Sequence, residues 1–455
     1  MRGQRAAPAG EPPDAPVRLD WVMPELETLT AAGLATDAEA MAVADVSTTA
    51  DELPHARRRW FGWKRLALGV FLVMLGGLAY AYANRASISP QVADFSRGVI
   101  GDENTARVES WFFALQDHVD QVHYRIFGGK TDPFADSVHV EFAPAAKAPV
   151  YVYDVKAKEH PAVSNIAPTP AGPPPMTLPA THQISGSPQP GEGGWSTAGL
   201  PDTTPDNVLM AKTFFHPDPS RPNATVGVLL IDGKRVQLHM TAGTEDPGGY
   251  RGVPGPGAIP QDAVSTLVAA FNGGFKGQHG NFGMVADGTT YVPLRNGLAS
   301  LAIMKDGTLK MGTWGGDLTW SDDMVAVRQN AVLLVDHGEI SPRTNEGNDT
   351  WGYVQVDSSE FITWRSAVGL TKDGNLIVAA GNSLSAATLA KALWAAGAWT
   401  AMQLDINSPY VLTTLFFQQP HGTPSPERFM DSMPGDASRF LGTQTRDFMW
   451  VTLKG

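Results

Sequence analysis

Four Asp-Gly pairs, Asp232-Gly233, Asp287-Gly288, Asp306-Gly307 and Asp373-Gly374, each stand between two short runs of apolar and β-branched residues. A two-residue hairpin needs positive φ at its central positions, and Asp followed by Gly supplies that backbone at little steric cost. His337-Gly338, between VLLV and EI, fits the same role. Several hairpins in one stretch predict a largely antiparallel sheet. One helix interrupts the pattern over Ser385–Ala396, with Ser385 as its cap and Gly397 as its stop. Its Leu389 and Leu393 stripe is expected to cover a sheet face. The expected fold class is α+β: a curved, mainly antiparallel sheet with packed helices, over residues 195–455.

Composition agrees and narrows the function. The 47 Gly and 35 Pro of the 455-residue chain suit turn-rich β structure and linkers. No cysteine is present, which excludes disulfides, thiol nucleophiles and Cys-ligated metals together. The formal charge is −12, and no basic patch with interleaved aromatics occurs, so nucleic acid is not an expected partner.

Upstream of this region the texture differs. Residues 1–59, rich in Ala, Pro, Asp and Glu without a sustained period, read as a disordered cytoplasmic tail. Residues 60–84 read as a transmembrane anchor. The uncharged run Leu66–Ala83 is near the shortest helix that crosses a hydrocarbon core. Trp60, Phe61, Trp63, Tyr80 and Tyr82 stand at its ends, where amphipathic rings prefer the headgroup level. Arg57, Arg58, Arg59, Lys64 and Arg65 precede it, and only Arg85 follows closely, so the C-terminal part is expected outside the cytoplasm. A cleaved signal peptide is the rival reading, since the Ala79–Ala83 stretch offers small-x-small sites, but the segment before it far exceeds a normal n-region. Residues 102–128 form an expected amphipathic helix, with Val108, Trp111, Phe112, Leu115, Val119, Val122 and Ile126 on one stripe and Gly128-Gly129 as the stop. That stripe packs on the following domain, pairs with another copy or lies on a membrane. Residues 160–194, rich in Pro, Gly, Ser and Thr, read as an extended linker.

Three places carry candidate chemistry. AAFNGGF (269–275) ends a strand at Asn272 and turns on Gly273 and Gly274, whose amides suit an anion such as phosphate, although a plain tight turn has the same spacing. AMQLDINS (401–408) delivers Asp405 at a strand end beside Asn407 and Ser408, a candidate acid/base site or a capped turn. Arg365, between two apolar stretches, must be paired, whether with phosphate or carboxylate oxygens of a ligand or in a structural ion pair with Asp or Glu.

In order, FNGGF (271–275), GMVADG (283–288), MGTWGGD (311–317), RQNAVLLVDHG (328–338), WRSAVGLTKDGNLIVAAG (364–381), the 385–397 helix and AMQLDINS resemble the phosphodiester glycosidase family. The resemblance implies a hydrolase that cleaves a sugar-1-phosphate ester or a related envelope glycan. It implies catalytic roles for Asn272, Arg365 and Asp405, with Gly273, Gly274, Asn407, Ser408 and His279 at the substrate or phosphate. Ile406 and Asn407 stand where the family's loop has glycines. That departure favours a second reading, a non-catalytic carbohydrate- or envelope-binding module on a membrane-tethered stalk. A third reading is a scaffold acting through the 102–128 helix and the tail. Candidates for a second carboxylate are Asp336, Glu346 and Asp349. No cofactor is expected. A divalent metal is a candidate only near Asp405 or Asn348-Asp349, where no ligand spacing calls for one. The partners expected are therefore a glycan or glycosyl-phosphate substrate and, through residues 66–83, a membrane.

Overall fold

The computed structural model describes residues 102–129, 132–134, 176–184, 187–204, 206–352, 362–420 and 422–454. The expected tail and the apolar run 66–83 lie outside the described residues. Among the described residues, no helix is long and apolar enough to cross a membrane.

Helix α1 spans Asp102–Phe127 and ends at Gly128, which takes positive φ and donates its amide to the Tyr124 carbonyl at 2.8 Å. The first strands are β1 (Met210–Phe215), β2 (Val226–Ile231), β3 (Val236–Thr241), β4 (Leu267–Asn272), β5 (Met284–Ala286) and β6 (Thr289–Val292). Then come β7 (Ala299–Met304), β8 (Leu309–Thr313), β9 (Met324–Gln329), β10 (Leu333–Asp336), β11 (Glu339–Ile340) and the single turn α2 (Asn348–Trp351). The remainder is β12 (Thr363–Thr371), β13 (Leu376–Leu384), α3 (Ala386–Ala395), β14 (Ala398–Gln403), β15 (Thr413–Phe417), β16 (Ser425–Arg428) and β17 (Phe448–Leu453).

Every pair of these strands that shares a ladder is antiparallel, as the turn chemistry predicts. The strands form three sheets rather than one: β1-β2-β13-β12-β14-β10-β11, β16-β15-β4-β17-β3 and β6-β5-β9-β7-β8. Burial explains the difference. All nine residues of β12 are buried, because α3 covers one face of the first sheet and the second sheet covers the other. Leu389 and Leu393 of α3 meet Ala367, Ile377 and Ala401 on one side. Val368, Val378 and Met402 meet Phe271, Leu415 and Val451 on the other. A strand buried on both faces has no polar alternation to announce its second neighbour.

The turns divide in the same way. Asp287-Gly288 and His337-Gly338 are two-residue hairpins with both residues at positive φ. Gly307 and Gly374, also at positive φ, close slightly longer hairpins. Asp232-Gly233 is not a hairpin: it carries the chain from β2 in the first sheet to β3 in the second. Gly233 is needed there because a Cβ would stand 2.2 Å from the Gly374 carbonyl oxygen. The expected helix is present with a full capping box: Ser385 Oγ accepts from the Thr388 amide, and Thr388 Oγ1 accepts from the Ser385 amide. Residues 176–184, inside the stretch read as linker, lie along this helix. The His182 amide donates to the Ala395 carbonyl at 2.8 Å, its ring stacks on Trp394, and Met176 joins the same core.

Candidate active site

The site lies where the three sheets meet, with Asn272 from the second, Ser366 from the first and Arg328 from the third. Asn272 ends β4 of the second sheet and is buried. Its Nδ2 donates to Ser366 Oγ of β12 at 2.9 Å, and its Oδ1 accepts from the Leu412 amide. Ser366 Oγ in turn donates to the Asp405 carbonyl at 2.8 Å, and the Asp405 amide donates to the Gly273 carbonyl at 3.0 Å. The two strand ends singled out in the sequence are thereby joined into one structure, with no side-chain freedom left in Asn272.

Asp405 is 3% exposed. Its Oδ1 accepts from the Asn407 amide at 2.8 Å, and its Oδ2 is ion-paired with Arg446 Nη2. Arg446 also donates to the Gly274 carbonyl, and its guanidinium lies over the Tyr410 ring at 4.3 Å. Burial pushes the Asp405 carboxyl above the usual carboxylate range, Arg446 pulls it back, and the neighbouring Asp447 charge adds to the rise. Asp246 and Asp447 add negative charge around Arg446, so its guanidinium stays charged. Arg439, bonded to the carbonyls of Pro409 and Tyr410, is pushed down to about 10 by burial.

The third sheet contributes Arg328, which is wholly buried. It bonds both carboxylate oxygens of Asp447, at 2.8 and 3.2 Å, and the carbonyls of Phe275 and Gln329. Asp447 occupies the glycine turn: its Oδ2 accepts from the Gly274 amide and its carbonyl accepts from the Gly273 amide. The anion in this turn is therefore an internal carboxylate. A Cβ on Gly273 would stand 2.0 Å from Asp447 Oδ2, and one on Gly274 would stand 2.8 Å from the Arg328 guanidinium. Close approach, not positive φ, explains the two glycines.

The remaining predicted residues are placed as follows. Arg365 neighbours Ser366 on β12, and alternation along the strand sends the two side chains to opposite faces. Arg365 donates to the carbonyls of Leu384 and Trp351 and to Gln403 Oε1, on the α3 side of the sheet. The structure thus brings Asn272 and Asp405 together and sets Arg365 on the other face. Ser408 lines a small pocket against α1 with Asp117, Thr363 and Asn382, and Asn407 is half-buried beside it. His279 is half-buried in the loop after the glycine turn. Ile406 is buried against Phe275 and Phe282, so it ties the aspartate loop to the glycine turn instead of projecting outward. Asp336 is held by His337 in an exposed hairpin, Glu346 pairs with Arg343, and Asp349 is exposed. The carboxylate whose charge reaches Asp405 is instead Asp447, and Asp246 joins Asp405 and Asp447 in acting on Arg446. Among the described residues, no group of three or more His, Asp or Glu side chains could hold a metal. Sequence reasoning missed Arg446-Asp447. The signal was available: a charged pair directly before the apolar strand FMWVTL is as costly to bury as Arg365.

Residues 265–405 match the family described as phosphodiester glycosidase. The resemblance read from the ordered motifs is therefore shown over that stretch, which ends on Asp405 and stops short of Arg446. No curated protein matches the chain. Among solved structures, the zebrafish N-acetylglucosamine-1-phosphodiester alpha-N-acetylglucosaminidase catalytic domain, auto-inhibited by its pro-peptide, is similar at 18% identity, over 56% of this chain and 87% of that one, with a TM-score of 0.34. A hypothetical protein from Synechocystis is similar at 12% identity, over 54% of this chain and 62% of that one, with a TM-score of 0.29.

Proposed function

We propose that this chain, phosphodiester glycosidase-like over residues 265–405, hydrolyses a glycosyl phosphodiester, with Asp405 and Arg446 as the working pair. The observation that carries the reading is the contact between the carboxylate of Asp405, where the family match ends, and the guanidinium of Arg446, which lies beyond it. The bond to be cut joins an anomeric carbon to a phosphate oxygen. A phosphate entering beside Arg446 competes with Asp405 for the guanidinium, which neutralises the leaving group as its charge develops. Asp405, released from its partner, stands free to take a proton from water attacking the anomeric carbon. Water's oxygen bonds to that carbon, the carbon–oxygen bond to phosphate breaks, and the departing phosphomonoester keeps the electron pair. Arg365 acts in this scheme as a positioning residue, fixing the β12–β14 floor under Ser366 and Asp405.

The chain is also read as anchored through residues 66–83, with the sheet domain outside the cytoplasm on a cell-envelope glycan or glycosyl phosphate. The basic residues before the apolar run and the aromatic residues at its ends support this placement.

The test is release of N-acetylglucosamine from its UDP ester by the full-length chain, with Asp405→Asn and Arg446→Ala beside it. Turnover by the parent that both variants lose supports the reading. Retained glycan binding without turnover in the parent overturns it and favours the non-catalytic module that Ile406-Asn407 suggested.

A further inference from the structure

Helix α1 meets the sheet domain through oxygen-bearing side chains. Gln116, Asp117 and Asp120, at intervals of one and three on one helical face, stand against the start of β12 and the end of β13. Asp117 Oδ2 accepts from Arg221 Nε at 3.2 Å and from Gln121 Nε2 at 2.8 Å, and Asp120 Oδ2 accepts from Asn382 Nδ2 at 3.3 Å. Between helix and strands lies a pocket of about 10 Å³, lined also by Thr363, Asn382 and Ser408. That is room for one water-sized body and too little for a sugar ring.

Two polar atoms in this wall make no hydrogen bond. Asp117 Oδ1 and Thr363 Oγ1 are shut off from solvent, in residues exposed by only 8% and 4%. A carboxylate oxygen or a hydroxyl left unpaired in the interior costs free energy unless a bound body satisfies it. One of the two comes from α1 and the other from β12, and they line the same pocket. The partner both lack is therefore a body that this pocket holds.

Charge decides its nature. Asp117 and Asp218 share the single guanidinium of Arg221, which leaves one negative charge over between them. Asp120 adds its carboxylate to the same wall. A water leaves that charge in place, whereas a cation offsets it. The lining then selects among cations. Its polar groups are carboxylates, amides and hydroxyls, and no imidazole lines it, so a hard cation fits and a transition metal does not. Magnesium demands a near-ideal octahedron and keeps its waters, whereas calcium accepts an irregular set of carboxylate and amide oxygens. Two carboxylates, rather than three, stand in this wall, and neutral oxygens complete it.

We propose that the pocket binds one calcium ion, held by Asp117 Oδ1, Asp120 and Thr363 Oγ1, and that the ion clamps α1 to the start of β12. The site uses neither Asp405 nor Arg446, and the inference does not rest on the reaction proposed above.

The test uses the full-length chain stripped of metal with EGTA. Calorimetric titration with calcium is expected to give one ion per chain, with a rise in thermal midpoint. Terbium supplies an independent readout, because Trp364 stands in the pocket wall and transfers its excitation to an ion there. Sensitised terbium emission that calcium displaces, and that Trp364→Phe largely abolishes, is the expected result. Asp120→Asn and Thr363→Val, each checked for an unchanged circular-dichroism spectrum, are expected to weaken calcium binding at least about 10-fold. Trp364→Phe alters no proposed ligand, so its readout stands even where a ligand variant loses its fold. A folded parent that binds no calcium up to millimolar concentration overturns the proposal in favour of an ordered water. Calcium binding left unchanged by Asp120→Asn and Thr363→Val, or terbium emission undiminished in Trp364→Phe, puts the ion elsewhere and overturns it as well.

Discussion

The Gly273 carbonyl accepts the backbone amide of Asp405 at 3.0 Å, and this bond joins the turn after β4 to the turn after β14. The two segments most distinctive in sequence thus form one rigid unit before any ligand is considered. Asp405→Asn keeps the amide and the Asn407 turn but removes the charge that pairs with Arg446. Turnover is expected to fall by at least about 100-fold with little change in thermal midpoint. The parent's rate is expected to rise with pH through an apparent pKa above the ordinary carboxylate range, because burial raises Asp405 and its ionised form is the one that accepts a proton. A rate that is flat across that range removes Asp405 from the role.

Gly273→Ala places a methyl group against the Asp447 carboxylate and carbonyl. The expected cost is about 2–4 kcal/mol of stability, measured by denaturant unfolding. Gly374→Ala is the matched control. It has open space around the added Cβ but positive φ, so it is expected to cost about 1 kcal/mol.

Arg328→Met strands the Asp447 carboxylate in the interior. A loss of about 3–5 kcal/mol is expected, and Asp447→Leu in the same chain is expected to restore part of it. If the double variant is no more stable than Arg328→Met alone, the buried pair is not the source of the cost.

His239 is half-buried, stacked on Trp450, and burial pushes its pKa down to about 4. Between pH 6.5 and 4 the unfolded chain binds a proton at this position that the folded chain refuses. Thermal stability is therefore expected to fall as pH drops through that window. His239→Phe keeps a ring over Trp450 and is expected to flatten the slope, which paired melting curves at the two ends of the window will show.

An impermeant maleimide applied to intact cells tests the placement of the chain. With no native cysteine, Asp322→Cys in the exposed turn before β9 is expected to label, and Ser47→Cys to label only after lysis. The reverse pattern rejects the orientation drawn from Arg57–Arg59, Lys64 and Arg65.

Much of this structure was legible where its cause is local. The hairpins at Asp287-Gly288 and His337-Gly338 and the capped helix after Ser385 are set by neighbours in sequence, and they are found as expected. Asp232-Gly233 shows the limit: its residues specify a reversal, but only the second sheet decides that the chain leaves the first one there. The site divides likewise. Asn272 and Asp405 sit at strand ends that sequence alone can locate. Arg365 reads in the sequence as a cation that calls for phosphate or a carboxylate, yet its hydrogen bonds reach the carbonyls of Leu384 and Trp351 and the Gln403 side chain, set by which face of β12 it takes. Arg446 gains its meaning from Asp405, and Asp447 from Arg328, contacts that no local pattern encodes.

Strand β17 has a consequence for synthesis. It lies between β4 and β3, and the residues just before it are Arg446 and Asp447. A ribosome that has made the strands preceding β17 has left a slot in the middle of the second sheet, a glycine turn without the Asp447 carboxylate and Asp405 without Arg446. Until β17 emerges, the second sheet stays open between β4 and β3; its arrival closes the sheet and brings Arg446 to Asp405 in one event.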